Sequence, residues 1–416
     1  MKRIVSIAAF LALLGIVVSA DAPRYPGEPR MAVWLQSVFA LLGTTAFLAV
    51  RRLDFRRVLS RPTGILLAVM AVQLAAILIP IHFPRQDTPE DSEVSLAAAF
   101  ILSRFLSQAP LLTLFALPLV LATPSAQGAL RRHACNTEVW RFAWALLPAF
   151  ILGMLVLAQP SVAVFIAILL IALTVAWLAG HRLRYVVGLV LSFIVSLFVV
   201  GLFWAPDRLE RILVFCDCLF LPHGSLHSVP VTEALITDGG LWGRGLGSRT
   251  HAVSVARSLC DQVAFAYVGH VTGLWGTCLV TALFTALGWL GLGIAAKAPT
   301  LRRRVCAAGM VLCVLLPAFG HIWYNTGLSF TGHYPLPFVS SEAGNLLLPW
   351  CALGLLASLS RRRCSATGLD NSQDSRRLSS ERAAFRRRIH VLQASLVLIA
   401  LITFARLWFL ANRWSA

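Results

Sequence analysis

The side chains best suited to chemistry lie in one polar segment, residues 205–262, between two long apolar parts of the chain. The segment contains Asp, Glu, His, Gly and Trp residues, so it offers groups that exchange protons and groups that carry charge. Its centre, residues 238–247, reads DGGLWGRGLG. Glycines allow positive φ and close approach of the backbone to another group. A loop of this length is either functional or disordered, and its glycine-rich, aromatic centre favours function.

Cysteine and histidine spacing gives no metal signature. The nine cysteines include no CxxC pair and no Cys/His spacing typical of a metal site. Most lie in apolar runs, where a buried thiol is the ordinary state. Cys216, Cys218 and Cys260 share the polar segment, and a disulfide among them requires that the segment face an oxidising compartment.

The elements that must position the polar segment are apolar runs of about twenty residues, each long enough to cross a bilayer. The chain is 58% hydrophobic and 13% charged, about half the charged fraction of a soluble domain. The polar helix faces of a soluble all-α core are missing. We therefore predict an all-α polytopic membrane protein with eleven spans: 4–20, 32–50, 63–82, 105–123, 141–158, 162–180, 184–204, 263–295, 305–323, 342–359 and 389–411. The eighth span is long enough to be tilted or broken.

Arginines give the predicted topology. The net charge is +18, and the arginines concentrate in short loops between apolar runs, which is typical of membrane topology and anionic lipid rather than of a nucleic-acid partner. If every run is a span, all the basic loops fall on one side, which the positive-inside rule makes cytoplasmic. The N-terminus is then cytoplasmic and the C-terminus extracytoplasmic. The basic loops are 51–62, 131–141, 181–184, 297–304 and 361–388.

Five segments, taken in order, resemble motifs of the FtsW/RodA/SpoVE (SEDS) family of cell-wall synthesis proteins. Residues 238–247 are similar to its GGLFGxGLG segment, and 265–276 to its FAxxGEELGxxG helix start. Residues 337–347 are similar to PFxSYGGSSLL. Gln36 with Gly43, followed by Asp54-Phe55, fits RQxxWxxxG … DY, and Gln159-Pro160 followed by Ala179-Gly180 fits QPDLG … AG.

The resemblance implies a SEDS-type ten-helix bundle over residues 1–360, with 205–262 as its large extracytoplasmic loop. In that register the family's first helix corresponds to 4–20, which favours a retained helix. The alternative is a signal peptide, because the run follows Lys2 and Arg3 and ends near small residues at 18–22.

The family polymerises peptidoglycan glycan strands from lipid II, an undecaprenyl-diphosphate-linked disaccharide, beside a class B penicillin-binding protein that cross-links them. The resemblance therefore implies an inverting glycosyltransferase of cell division or elongation in the bacterial inner membrane. Such chemistry needs a carboxylate base, cations or a divalent metal such as Mg or Mn at the diphosphate, and a groove between helices for the lipid. No cofactor is certain.

The resemblance also implies site residues. Asp261 is the candidate catalytic base, although Gln262 stands in the family's aspartate column, and a solvated aspartate at a helix start is the ordinary alternative. The implied substrate-binding residues are Gly239, Gly240, Gly243, Arg244, Gly245, Gly247, Arg249, Pro337, Ser340 and Glu342.

The chain departs from the family where charges are expected. Leu111 and Leu114 replace the Glu and Lys of QPSExxK, and His270 replaces the first Glu of GEELG. Either the site is rebuilt from other groups, or catalysis is lost and a scaffold or lipid-handling subunit remains. A lipid or solute transporter is a weaker third interpretation, because no inverted repeat stands out. The candidates for a rebuilt site are Glu233, Asp238, Arg244, Arg249, His251 and Glu342.

The C-terminal part exceeds the family's ten helices. Residues 361–388 read as a basic cytoplasmic linker and 389–411 as an extra transmembrane helix. Its basic flank and apolar run resemble the membrane anchor of class B penicillin-binding proteins. It is either part of a fused partner or a generic extra helix.

Overall fold

In a computed structural model, the described part of the chain is built of α-helices joined by turns. The structure describes residues 1–21, 29–52, 62–78, 109–121, 138–157, 159, 162–182, 184, 187, 231–248, 262–329, 334–340, 343–361 and 372–412. These residues form helices α1 Lys2–Asp21, α2 Pro29–Arg52, α3 Pro62–Leu78, α4 Ala109–Leu121, α5 Glu138–Leu157, α6 Val162–Ala179, α7 Val231–Gly239, α8 Ala264–Ala296, α9 Leu301–Asn325, α10 Ala343–Leu359 and α11 Ser372–Asn412.

Ten of the eleven predicted spans coincide with a helix, and the span predicted at 184–204 lies outside the described residues but for two positions. Two differences are informative. Helix α7 was not predicted, because only nine residues of the polar segment form it. Helix α11 begins at Ser372 and not at the membrane boundary, so much of the predicted linker is helical. Residues 372–388 contain no proline or glycine, and nothing interrupts the helix.

Three of the described helices are by themselves long and apolar enough to cross a membrane: Ala264–Ala296, Leu301–Asn325 and Ser379–Asn412. Five apolar helices of 10–17 residues accompany them, at Gly64–Ala76, Ala109–Leu121, Leu146–Leu157, Ala163–Ala179 and Gly344–Leu359. Large apolar side chains also face outward, among them Trp34 at 72% exposure and Trp408 at 61%. Exposed apolar side chains on long apolar helices are what a bilayer requires.

Helix α8 is central to the packing. It lies against α7, α9 and α11, while α2 packs along α10 on another side of the bundle. At Gly288 a β-carbon would come within 2.6 Å of Leu315 on α9 and 2.7 Å of Leu396 on α11. Glycine at this position therefore lets three helices approach closely, as small residues do at membrane helix crossings.

Side-chain contacts distinguish two ends of the bundle. At one end Arg304 lies 5.8 Å above the Phe385 ring, and Arg388 donates to the Leu178 carbonyl at 3.3 Å. At the other end, the last residue of α1 reaches the segment that follows α7, and α11 contacts the helix α7 itself. Helix α11 thus runs the length of the bundle, beside both ends.

Candidate functional site

A glycine-rich loop, residues 239–247, follows α7. Gly240, Gly243, Gly245 and Gly247 all have positive φ, between 56° and 81°. Residues with a side chain rarely adopt this conformation, so the spacing of these glycines dictates a chain of tight turns. The turns are closed by bonds from the Gly240 amide to the Thr237 carbonyl and from the Gly243 amide to the Gly239 carbonyl, at 3.0 and 2.8 Å.

The loop docks on a break in α8. Gly273 has φ 68° and ψ −160° inside that helix, which confirms that the long eighth span is broken. The loop forms hydrogen bonds with the backbone beside the break. The amides of Arg244 and Gly245 donate to the carbonyls of His270 and Val271 at 2.9 and 3.1 Å. In return the Leu274 amide donates to the Gly240 carbonyl at 2.9 Å. Buried peptide groups require such partners, so loop and break stabilise each other.

The loop and α8 lie so close together that both need glycine where they touch. A β-carbon on Gly239 would lie 2.1 Å from the Gly269 carbonyl oxygen, and one on Gly243 would lie 2.2 Å from that of Val271. A β-carbon on Gly273 would lie 2.5 Å from the Gly243 nitrogen. These three glycines are therefore part of the framework that fixes the loop.

The junction between the glycine-rich loop and α8 contains a series of polar side chains in contact with one another. Asp238, at the end of α7, accepts from the Arg244 guanidinium at 2.8 Å. Its other carboxylate oxygen lies 3.1 Å from His270 Nδ1, at ion-pair distance but without hydrogen-bond alignment. His270 Nε2 lies 2.7 Å from the Ser248 hydroxyl. The imidazole is fully buried, whereas Ser248 is half-buried and the Arg244 side chain is 57% exposed.

The last residue of α1 joins the same junction. Asp21 accepts from the Gly247 amide through one carboxylate oxygen and from the Tyr267 hydroxyl through the other, both at 2.8 Å. Ile4, Ala8 and Leu11 of α1 are buried in the bundle. Helix α1 therefore helps to fix both the loop and the first turn of α8.

Two buried side chains of α9 hold the start of α8, where the candidate base was expected. His321 Nε2 accepts from the Phe265 amide at 3.3 Å, and the Asn325 amide group donates to the Gln262 carbonyl at 3.0 Å. Gln262 is half-buried and follows Asp261 in the sequence, and Asp261 lies outside the described residues.

Residues 337–340 form a second, buried turn. Phe338 is the one non-glycine residue with positive φ, 66°, in the described part of the chain. The Ser340 hydroxyl accepts from the Leu336 amide at 2.9 Å and is 2% exposed. The Gln36 side chain donates to the Val339 carbonyl at 2.8 Å. Two of the sequence motifs therefore meet here through a buried bond.

An ion pair links α7 to the C-terminal helix. The Arg406 guanidinium lies 3.2 Å from Glu233 and also donates to the Thr326 carbonyl at 3.0 Å. Glu233 is 6% exposed. The helix that precedes the glycine-rich loop is thus held by α11, which contains the extra transmembrane helix predicted at 389–411.

The structure brings together one part of the expected site. The six substrate-binding candidates of the loop lie in one junction with Asp238 and His270, while Pro337 and Ser340 lie in the separate buried turn. Arg249, His251, Asp261 and Glu342, like Cys216, Cys218 and Cys260, lie outside the described residues. Ser248 and Asp21 were not candidates. The sequence signal for this junction was His270, which replaces a family glutamate. The structure adds that His270 lies beside Asp238.

The described part of the chain contains no set of side chains suited to bind a metal ion. No group of three or more His, Cys, Asp or Glu side chains there is arranged to hold a metal ion.

Comparison with known proteins decides the family. The profile of the FtsW/RodA/SpoVE family, described as cell cycle proteins, matches residues 1–365. The chain belongs to this family. Helix α11 lies beyond the matched residues, so it is an addition to the part that the family shares.

Curated family members give the sequence relationship. The probable peptidoglycan glycosyltransferase FtsW of Methylococcus capsulatus is 30% identical over 253 residues, which is 59% of this chain and 63% of that protein. The peptidoglycan glycosyltransferase MrdB of Escherichia coli is 29% identical over 56% of this chain and 64% of its own length. Stage V sporulation protein E of Bacillus subtilis is 28% identical over 53% and 60%. The chain thus matches somewhat less than two thirds of each relative.

Solved structures give the fold. A chain from a peptidoglycan synthase complex that coordinates polymerization and crosslinking superposes with TM-score 0.65 at 19% identity, covering 88% of this chain and 98% of that chain. The rod shape determining protein RodA of Thermus thermophilus superposes with TM-score 0.58 at 18% identity, covering 87% and 97%. The predicted fold class is confirmed: this family member is a multi-pass helical membrane protein of the SEDS type.

Proposed function

We propose that this chain is a peptidoglycan glycosyltransferase that extends glycan strands from lipid II in the bacterial inner membrane. The observation that carries the proposal is the family match over residues 1–365. It is supported by the glycine-rich loop, whose expected residues dock as one unit on the broken helix α8. The matched relatives are named for this reaction.

The proposed orientation puts the glycine-rich loop on the extracytoplasmic side. Basic residues accompany the opposite end of the bundle, where α6 ends, α9 begins and α11 carries Phe385 and Arg388. The positive-inside rule favours a cytoplasmic location for that end. These basic residues are Arg182, Arg184, Arg302, Arg303, Arg304, Arg386, Arg387 and Arg388.

The proposed partner is a class B penicillin-binding protein that cross-links the strands. The structural neighbour from a synthase complex, in which polymerization and crosslinking are coordinated, supports this pairing. Asp261 stays the base proposed from sequence alone.

A second candidate function is a catalytically silent scaffold. In the columns where the family carries Glu and Lys, Leu111 is 7% exposed and Leu114 fully buried. The Leu114 carbonyl accepts from the Cys313 thiol at 3.1 Å. Both positions of α4 lie in an apolar core, and the charged groups that the family carries there are absent.

Polymerisation of purified, fluorescently labelled lipid II separates the two candidates. The purified chain is assayed alone, with the class B penicillin-binding protein encoded nearest to it, and with Mg²⁺ or Mn²⁺. Glycan strands resolved on a gel are the expected result, and Asp261→Ala, compared with wild type, tests the base proposed from sequence. If wild type forms no strands under any of these conditions, the glycosyltransferase proposal fails and the scaffold is favoured.

A further inference from the structure

His270 is an unusual residue to bury at the junction of two elements. It is fully buried on α8, one turn before the break, and it has a hydroxyl on one ring nitrogen and a carboxylate beside the other. A neutral imidazole can accept a proton at one nitrogen while the other stays protonated. The arrangement Ser248–His270–Asp238 therefore has the geometry of a group that receives a proton from the side of the serine.

Burial of the imidazole and the Arg244 charge oppose its protonation, and the Asp238 carboxylate favours it. Asp238 lies 3.1 Å from Nδ1, and Coulomb attraction does not depend on hydrogen-bond alignment. Among the described residues, the other charged or titratable groups around the imidazole are Arg244, which pairs with Asp238, Asp21 at the end of α1, and Tyr267, whose ring centroid is 6.2 Å away. One carboxylate therefore faces the ring directly, while the guanidinium holds that carboxylate in place.

Ser248 is the partly exposed neighbour of Nε2, the ring nitrogen that faces away from Asp238. Ser248 is half-buried, and it directly follows the glycine-rich loop. The imidazole itself is closed to solvent, so a proton from a substrate reaches Nε2 through the serine hydroxyl. Proton transfer through one intervening hydroxyl lies within the reach expected for general base catalysis.

We propose that Ser248, His270 and Asp238 form a proton relay that deprotonates the acceptor sugar hydroxyl, in place of the Asp261 carboxylate that the family resemblance implies. The inference rests on the proposed glycosyltransferase function. The acceptor oxygen forms a bond to the anomeric carbon of the donor, and the bond from that carbon to the diphosphate oxygen breaks. The lipid diphosphate leaves with the electron pair. The acceptor proton passes to Ser248 Oγ as the serine proton passes to His270 Nε2, and Asp238 stabilises the imidazolium. His270 and Asp238 act through Ser248, so they are positioning and proton-holding residues.

The same three residue types also occur in acyl-transfer enzymes, where the serine is a nucleophile. That chemistry needs free hydrogen-bond donors, commonly backbone amides, to bind an oxyanion. Here the amides of Arg244, Gly245 and Gly247 are already bonded to His270, Val271 and Asp21. The described surroundings of Ser248 therefore favour a relay over a nucleophile.

The test compares His270→Asn, Ser248→Ala and Asp238→Asn with a matched control, His390→Asn, which alters an exposed histidine of α11. Lipid II polymerisation is measured across pH, with thermal unfolding in detergent as the folding control. We expect His270→Asn to lose about 100-fold or more in rate, Ser248→Ala to lose less because water can replace the hydroxyl, and His390→Asn to match wild type.

The pH profile separates a relay from a structural role. Wild-type activity should fall as the pH is lowered and His270 becomes protonated. Without the carboxylate charge, the imidazole of Asp238→Asn is protonated only at lower pH, so this acid limb should move to lower pH as the maximal rate falls. A structural role alone would not move the limb.

Four outcomes overturn the relay. The first is an active wild type whose His270→Asn and Ser248→Ala variants keep their rates within twofold, which leaves the proposed function intact. The second is an unshifted acid limb in Asp238→Asn. The third is covalent labelling of Ser248 by a fluorophosphonate, which would identify a nucleophile. The fourth is a folded but inactive wild type, which overturns the proposed function as well.

Discussion

At the scale of single residues, Gly243 and Gly245 have the same backbone conformation but different surroundings. Their φ values are 81° and 80°. A β-carbon on Gly243 would meet the Val271 carbonyl at 2.2 Å, whereas one on Gly245 would meet open space. The two positions therefore separate the cost of a left-handed residue from the cost of lost docking.

We expect Gly245→Ala to destabilise the protein by about 1 kcal/mol, the cost of the left-handed conformation alone. Gly243→Ala should cost about 2 kcal/mol or more, because the loop must also move away from α8. Thermal unfolding in detergent measures both. Equal effects of the two substitutions would show that the loop does not dock on the break as described.

At the scale of elements, α11 is an integral helix of the bundle. Its Gln393 side chain donates to the Trp289 carbonyl at 3.0 Å, and its Thr403 hydroxyl accepts from the Trp323 indole at 2.9 Å. Arg406 then reaches Glu233 on α7. Polar groups among apolar helices are costly unless paired, so these three contacts fix the rotation and depth of α11 against α7, α8 and α9.

Arg406→Ala should destabilise the protein by about 1–3 kcal/mol, because it leaves the buried Glu233 carboxylate without its cation. Glu233→Ala should cost a similar amount, and the double variant should cost less than the two together. Thermal unfolding of the full cycle is the measurement. Arg387→Ala, at an exposed arginine of the same helix, is the control and should have little effect. Strict additivity would contradict a direct pair.

At the scale of the whole molecule, the two ends of the bundle differ in charge and in structure. The glycine-rich loop, Asp21 and the Arg406–Glu233 pair lie at one end. The basic residues near Arg304 and Arg388 lie at the other. The proposed orientation assigns these ends to opposite faces of the inner membrane.

A membrane-impermeant maleimide tests that orientation in intact cells whose outer surface has been made permeable to it. We expect Leu246→Cys, at an exposed loop position, to be labelled from outside the inner membrane. Arg387→Cys should be labelled only after the inner membrane is opened, since it lies at the basic end. The unsubstituted chain gives the baseline for its native cysteines. The reverse pattern would invert the topology.

The sequence by itself determined the family, the helical membrane fold and the glycine-rich loop. A membrane span is recognised from consecutive apolar residues, and a turn with positive φ is recognised from its glycine, so neither depends on distant parts of the chain. The break in α8 was expected only from the length of its span, and its place at Gly273 was decided by the loop that docks there.

Only the tertiary structure decided which polar residues meet. Ser248 and His270 are 22 residues apart in sequence, and Arg406 and Glu233 are 173 apart. No local pattern encodes such distances, because they depend on how the broken helix, the loop and α11 pack together. For the same reason the sequence predicted a linker at 361–388 and a separate span at 389–411, whereas the structure has one helix, α11, that contacts α7 through Arg406. The loss of family charges was visible from sequence, while the junction of Asp238, His270 and Ser248 appeared only in the folded chain.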